Sequence, residues 1–300
     1  MLLWIIKDGK MSHIVKCKNK DLINPPHYVY SQLQYECIMG SMAYGVSSDN
    51  SDMDIYGFCI PNKNIIFPEN FIHGFDKIEH PFEQYQQHHI KTETIEYDFT
   101  IYNITKYFTL CANGNPNMVD SLFVPRRCVT HSTRIGELVR ENRKLFLSKK
   151  CWHTFKGYAY SQMHKMRIKS PDVGSKRYDS IMKHGYDVKF AYHVVRLLNE
   201  IEQILIDEDL DLERNREQLK SIRRGEWKQE DIEYHFEFKE KELEKIYLDS
   251  KLPHKPRFEE IRGLLVTCLN NHFGECISDE KQSVNAILQD IEAVLIKYTV

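Results

Sequence analysis

The stretch Gly40–Phe58, GSMAYGVSSDNSDMDIYGF, combines a Gly-Ser turn with an Asp-x-Asp pair at the start of an apolar run. Gly40 permits a tight turn that phosphate can approach, and the N–H of Ser41 is expected to open a helix, a ready anion site. The apolar run predicts a strand, in which alternate residues share a face, so the carboxylates of Asp52 and Asp54 project together. The stretch therefore predicts a site for phosphate and divalent metal.

The spacing of the two aspartates suits metal-assisted phosphoryl transfer. Their Cα atoms lie roughly 6.5–7 Å apart along a strand, and from there two carboxylates can converge on two ions roughly 3.5–4 Å apart. Mg²⁺ prefers a few carboxylates plus substrate phosphate oxygens to a cage made only of protein. We therefore expect two Mg²⁺ or Mn²⁺ ions, held by Asp52, Asp54 and one further acid. An ordinary polar turn before a strand is the alternative, and the Gly-Ser turn disfavours it.

Composition sets the broad class of the protein. The chain has 300 residues, of which 42% are hydrophobic, so it can bury a sizeable core and is more typical of two domains than of one. The formal net charge of −2 indicates no particular partner. Residues 151–200 are locally basic, which suits an anionic substrate and equally a solvated helix face. Eight scattered cysteines without a Cys-x-x-Cys pair predict reduced thiols in a cytoplasmic protein. We expect no signal peptide and no membrane span.

The periodicity of apolar residues changes after Pro125. Before it, short runs rich in β-branched and aromatic residues predict strands at 35–39, 53–60 and 94–102. After it, apolar residues three and four apart predict helices at 134–147, 152–169, 179–206, 229–248, 256–272 and 280–298. Strands followed by a run of helices predict an α/β head, residues 1–130, and a helical domain, residues 131–300.

At this point the residues show a family resemblance. Gly-Ser followed by Asp-x-Asp in an apolar strand resembles the signature of the nucleotidyltransferase superfamily that includes DNA polymerase β. More narrowly, GSMAYG…SDMDIYG resembles the predicted RNA-repair-associated, polymerase-β-like nucleotidyltransferases of bacteria and their phages. The later segments EYDFTIYNITKYF, GNPNMVDSLF, GYAYSQMHKM, KFAYHVVRLL and LPHKPRFEEI also resemble that family in the same order, so the resemblance covers most of the chain.

The resemblance implies an α+β fold: a polymerase-β-like head, with a small mixed sheet and helices, followed by an all-helical domain. It also implies a third metal-binding carboxylate on a later strand. Glu96 and Asp98 share one face of that strand, and spacing alone leaves both open. The family pattern, an Asp followed by an aromatic residue and a lysine, matches Asp98 with Tyr102 and Lys106. One departure is Asp120, where the family pattern leads us to expect glutamate.

Cationic side chains offer further candidates. Lys189, His193 and Arg196 lie at i, i+4 and i+7 of a predicted helix and so share a face. A solvated face is the ordinary interpretation, but the resemblance favours a cationic wall for the nucleotide phosphates.

Three other groups of residues are weaker candidates. A second set lies on one predicted helix and comprises Gly157, Tyr158, Gln162 and Lys165. The ring of Tyr158 could stack on a base or pack in the protein. The histidines at 73, 80, 88 and 89 have irregular spacing, which disfavours a metal site. In GNPN, we expect Asn115 to cap a helix that has Pro116 at its first position.

The resemblance implies transfer of a nucleoside monophosphate from an NTP to a hydroxyl, with release of pyrophosphate. Asp52, Asp54 and Asp98 would hold the metals, and Gly40 and Ser41 would cradle the β- and γ-phosphates. RNA is the preferred acceptor because of the family's association with repair. A protein or small-molecule acceptor is one alternative. A nucleotide-binding or interaction protein without turnover is another, which the presence of both aspartates disfavours.

Overall fold

The computed structural model describes residues 11–47, 52–66, 82–93, 95–168 and 176–274. The predicted helix at 280–298, His73, His80 and Cys276 lie outside these residues. The seven described cysteines are all free and buried, as expected for reduced thiols. Among the described helices, none combines the length and apolar character that crossing a bilayer requires.

A five-stranded mixed sheet forms the first half of the fold. Its strands are β1 (Leu33–Ile38), β2 (Met53–Cys59), β3 (Gln84–Lys91), β4 (Glu96–Asn103) and β5 (Val129–Ser132). They lie in the order β3-β4-β2-β1-β5. β2 and β4 run parallel, whereas every other neighbouring pair is antiparallel. The mixed α/β architecture agrees with the predicted α+β class.

Short helices accompany the sheet, namely α1 (His13–Asn19), α2 (His27–Ser31), α3 (Lys63–Ile66), α4 (Ile104–Ala112) and α5 (Pro116–Phe123). The start of α5 confirms the prediction from GNPN. Asn115 is the N-cap, its side chain accepts a hydrogen bond from the Met118 N–H, and Pro116 occupies the first turn. Proline fits there because its missing N–H would have no partner inside the helix.

Helices form the second half, and four of the described ones have 16 or more residues. They are α6 (Arg134–Glu141), α7 (Lys150–Ile168), α8 (Lys176–His184), α9 (Val188–Asp207), α10 (Arg216–Arg223), α11 (Gln229–Asp249) and α12 (Phe258–Phe273). The predicted helix at 179–206 is two helices. Gly185, with a φ of +81°, ends α8. The Asp187 side chain then caps α9 by accepting a hydrogen bond from the Lys189 N–H at 2.9 Å. Between the predicted helices at 179–206 and 229–248 the structure adds α10, whose buried Leu219 and Ile222 pack into the core.

The buried apolar side chains of both halves form one connected cluster. The predicted boundary between residues 130 and 131 falls inside β5, which pairs with β1 and therefore belongs to the sheet. A short strand of polar and β-branched residues just after Pro125 explains why the change of periodicity placed the boundary too early. The division into a head and a helical domain stays a prediction.

Candidate functional site

Two of the predicted carboxylates lie side by side on neighbouring strands. In the parallel pairing of β2 with β4, Asp54 is the register partner of Asp98. Partners in a parallel ladder present their side chains on the same face of the sheet. The buried neighbours Ile55 and Phe99 occupy the opposite face. Backbone pairing alone therefore brings two acids from distant parts of the sequence together.

The Gly-Ser turn lies against this pair. Gly40 has a φ of +62°, and a Cβ added to it would lie 2.1 Å from Oδ2 of Asp54. The backbone is fixed from the same side, because the Met39 N–H donates to the Asp54 carbonyl at 2.7 Å. Glycine is required here for both its conformation and its lack of a side chain. The turn and Asp54 thus lie against each other in space.

Ser41 does not open an α-helix. The chain makes only a short 3₁₀ turn, Gly40–Met42, and the Val46 N–H then closes a wider turn onto the Ser41 carbonyl. Gly45, with a φ of +65°, ends the helical geometry. The expected anion site at a helix N-terminus is therefore absent from this turn, and any phosphate would meet a turn of backbone amides with the Ser41 hydroxyl.

The carboxylates repel each other electrostatically. The pKa of Asp54 is raised above its usual value, mainly by burial and then by the neighbouring charges of Asp98 and Asp52. The Lys189 ammonium opposes this shift, so it lies close enough to sense the site. A buried carboxylate with acidic neighbours gains stability from a cation, and this chemistry fits Mg²⁺ or Mn²⁺. No group of three His, Cys, Asp or Glu side chains in the described residues forms a ready-made metal cage.

The third carboxylate can now be compared with its competitor. Asp98 is level with Asp54, whereas Glu96 lies one residue before the first pair of the ladder, Met53–Tyr97. Glu96 is also engaged elsewhere, because its Oε1 lies 2.6 Å from Nδ1 of His89. The register thus brings Asp98, and not Glu96, to Asp54. Asp52 is exposed immediately before β2.

A bulge in the edge strand β3 reaches Asp98, which the sequence did not reveal. The register shifts between Gln87 and Ile90, and His89 has a φ of +58°. As a result the His89 N–H donates to Oδ1 of Asp98 at 2.7 Å, and Nδ1 of His88 lies 3.5 Å from the same oxygen. These two histidines therefore hold the orientation of the Asp98 carboxylate. The adjacent histidines at positions 88 and 89 were the only signal in the sequence.

The three cationic candidates separate in the structure. Lys189 is exposed at the first turn of α9, and His193 is half-buried one turn later with its ring against Tyr192. Arg196 is only 2% exposed. Its guanidinium pairs with Asp120 at 2.5 Å and approaches Glu200 at 3.3 Å. The prediction that Arg196 binds a phosphate is therefore wrong, because its guanidinium is buried and paired with acidic side chains. Lys189, in contrast, is exposed and can reach a ligand.

Two tyrosines near the site were missed. Tyr44, in the segment after the Gly-Ser turn, donates its hydroxyl to Oδ2 of Asp120 at 2.7 Å and also contacts Arg196. This buried network ties the turn to α5 and α9. Tyr56 follows Asp54 by two residues, so the same alternation that paired the aspartates places its ring on their face.

The comparisons with known proteins agree with this geometry. The family model for RlaP, the RNA repair pathway DNA polymerase beta family, matches residues 13–267. No curated protein and no solved structure matches the chain. The matched range extends from α1 into α12 and includes the Gly-Ser turn, the aspartates and Lys189. The chain therefore belongs to the RNA repair pathway DNA polymerase beta family, whose members are polymerase-β-like nucleotidyltransferases.

Proposed function

We propose that this protein transfers a nucleoside monophosphate from an NTP to a hydroxyl at an RNA end and releases pyrophosphate. The observation that carries this proposal is the pairing of Asp54 with Asp98 directly beside the Gly40 turn. Carboxylates for metal, backbone for phosphate and an exposed lysine are the parts that positioning-based phosphoryl transfer needs. RNA as the acceptor is supported by the repair pathway of the family.

The chain's own residues divide the work. Asp52 and Asp54, with Asp98, would hold Mg²⁺ or Mn²⁺, which when bound neutralises phosphate charge and makes the acceptor hydroxyl easier to deprotonate. Gly40 and Ser41 would bind the β- and γ-phosphates through the backbone and the hydroxyl. Lys189 would contribute positive charge from α9, and His193 lies one turn along the same helix. His89 and His88 would keep the Asp98 carboxylate oriented.

The test uses the full-length protein with each NTP labelled at the α-phosphate, Mg²⁺ or Mn²⁺, and total RNA. We expect label to enter the RNA, and the Asp54→Asn variant to transfer none. The Glu93→Gln variant, an exposed acid before β4, is the control for loss of a negative charge and should transfer normally. Label appearing only in a protein or small-molecule fraction would replace RNA with the alternative acceptor. No label from any NTP would reject the transferase proposal.

A further inference from the structure

A cavity of about 550 Å³ lies between the loop that joins α4 to α5 and one face of α7. Its polar lining comes from Asn113, Asn115 and Asn117 on one side and from His153 and Thr154 of α7 on the other. The ring of Tyr158 and the open surface at Gly157 complete the α7 face. The volume falls in the range of sites for small organic ligands, roughly 300–1,000 Å³.

One side chain, that of Tyr56, lies near both Asp54 and the lining of the cavity. Tyr56 shares the face of Asp54 on β2, and its ring packs edge-on against Tyr102 with centroids 6.5 Å apart. Tyr56 also lies near enough to both Asp54 and Tyr158 to sense their charges, which add to the burial that raises its pKa. Tyr56 therefore lies between Asp54, two residues away on the same strand, and Tyr158 in the lining of the cavity.

The lining has the chemistry of a nucleobase site. Amide side chains offer both donors and acceptors, so they can match the hydrogen-bonding edge of a base. The Asn115 oxygen is used to cap α5, and the Asn113 oxygen accepts from Lys150 at 2.6 Å. The Asn117 side chain makes no hydrogen bond to another described residue, so its amide group is available. An aromatic ring such as that of Tyr158 provides a stacking surface that accepts any base.

We propose that this cavity holds the nucleobase and ribose of the NTP whose phosphates are bound at the Gly40 turn. The inference rests on the proposed function and extends it by assigning a nucleoside subsite to the face formed by Asn117, Gly157 and Tyr158. The phosphates would lie near Asp54 on one side of Tyr56, and the base would lie beside Tyr158 on the other. Asn117 would then contribute to base preference.

Gly157 allows a direct test because the cavity can be filled without disturbing the protein. No described atom lies within 4 Å of the position that a Cβ would take at Gly157. The Gly157→Leu variant therefore places a side chain into the cavity from a helix that tolerates leucine. The matched control is Gly263→Leu on α12, because Gly263 is also exposed, helical and free of described atoms within 4 Å.

Binding would be measured by calorimetry with Mg²⁺ and two probes, an NTP and inorganic tripolyphosphate. We expect Gly157→Leu to weaken NTP binding by about tenfold or more, the scale of losing a stacked base, while tripolyphosphate binding is unchanged. Gly263→Leu should bind both probes like the wild type. Unchanged NTP binding by Gly157→Leu would overturn the subsite, and so would equal weakening of both probes.

A second variant addresses the bases themselves. Asn117→Ala should reduce the difference in affinity among ATP, GTP, CTP and UTP, with tripolyphosphate again unaffected and thermal unfolding close to the wild type. An unaltered ranking and affinity of the four nucleotides would count against the subsite. These binding measurements do not depend on turnover. A wild-type protein that transfers no nucleotide would reject the transferase proposal, whereas unchanged NTP binding by the variants would reject the subsite.

Discussion

Asp120 and Arg196 form an ion pair in which Nη1 of the arginine lies 2.5 Å from Oδ2 of the aspartate, and their side chains are 0% and 3% exposed. Tyr44 donates to the same carboxylate oxygen, and the guanidinium lies over the Tyr44 ring at 4.3 Å from its centroid. Tyr44, shortly after the Gly-Ser turn, is therefore fixed by α5 and α9. Arg196 supports the turn through this packing.

Arg196→Met should destabilise the protein far more than it weakens nucleotide binding directly. Removing one partner of a buried pair leaves an uncompensated charge and typically costs about 3–5 kcal/mol. Urea unfolding measures this loss, and Lys189→Met, an exposed change, should stay within about 0.5 kcal/mol of the wild type. If Arg196→Met kept the stability of the wild type but lost NTP affinity, the earlier prediction that Arg196 contacts a phosphate would be correct.

Glu200 should make stability depend on pH. Burial raises the pKa of Glu200 well above its usual value of 4.5, and neighbouring Asp120 raises it further, against the opposing effect of Arg196. The folded state then binds a proton that the unfolded state has lost, so this stabilisation is complete below about pH 4.5 and is lost as pH rises through the folded pKa. The slope reaches about 1.4 kcal/mol per pH unit. Glu200→Gln should lack this slope in urea unfolding measured from pH 5 upward, and parallel curves would contradict it.

Asp54→Asn should abolish transfer without lowering stability. The substitution removes a carboxylate whose charge is disfavoured by burial, Asp98 and Asp52, so unfolding without metal should occur at the same or a higher temperature. Added Mg²⁺ should raise the unfolding temperature of the wild type and have less effect on the variant, because a ligand that binds only the folded state stabilises it. An equal Mg²⁺ response in both proteins would argue against a metal at Asp54.

Asp98→Asn and Glu96→Gln should differ in the chemical step. Asp98 is level with Asp54, whereas a carboxylate two residues away is displaced by roughly 6.5–7 Å, beyond direct coordination near 2.1 Å. In single-turnover assays we expect Asp98→Asn to lose most of the rate while NTP binding persists. Glu96→Gln should remain close to the wild type. The opposite ranking would mean that Glu96 is the third ligand.

Lys189→Ala should weaken NTP binding in Mg²⁺ by about 1.5 kcal/mol, the lower end for a hydrogen bond to a charged group, because Lys189 is exposed. Calorimetry at two salt concentrations measures it, and the loss should shrink at high salt. The exposed Lys183 on α8 provides a matched control, and Lys183→Ala should bind like the wild type. Equal NTP affinities for Lys189→Ala and the wild type would mean that Lys189 is an ordinary solvated side chain and does not contact the nucleotide.

The sequence predicted the site where local periodicity determines geometry. Alternation along β2 and β4 placed Asp54 and Asp98 on defined faces, and the Asn115–Pro116 cap was read from the chemistry of the two residues. The strand β3 was missed because Gln84–Lys91 is polar, and only Ile90 is buried in it. An edge strand with few buried residues gives little alternation in hydrophobicity to detect.

Arg196 shows where periodicity stops being informative. Seven residues after Lys189 it returns to nearly the same helical face, but it lies about 10.5 Å further along the axis. Periodicity identifies the face and carries no information about what packs against each turn of it. Here the first turn of α9 is exposed at Lys189, whereas the third lies under Tyr44 and Asp120. The register of Asp98 with Asp54 was beyond the sequence for the same reason, because it depends on pairing between distant strands.

The parallel ladder between β2 and β4 also makes the relative position of two carboxylates independent of the chain that connects their strands. Asp54 and Asp98 are aligned by backbone hydrogen bonds between their strands, so their relative position does not depend on how many residues join β2 to β3. Insertions and deletions in that connection can accumulate without moving either carboxylate.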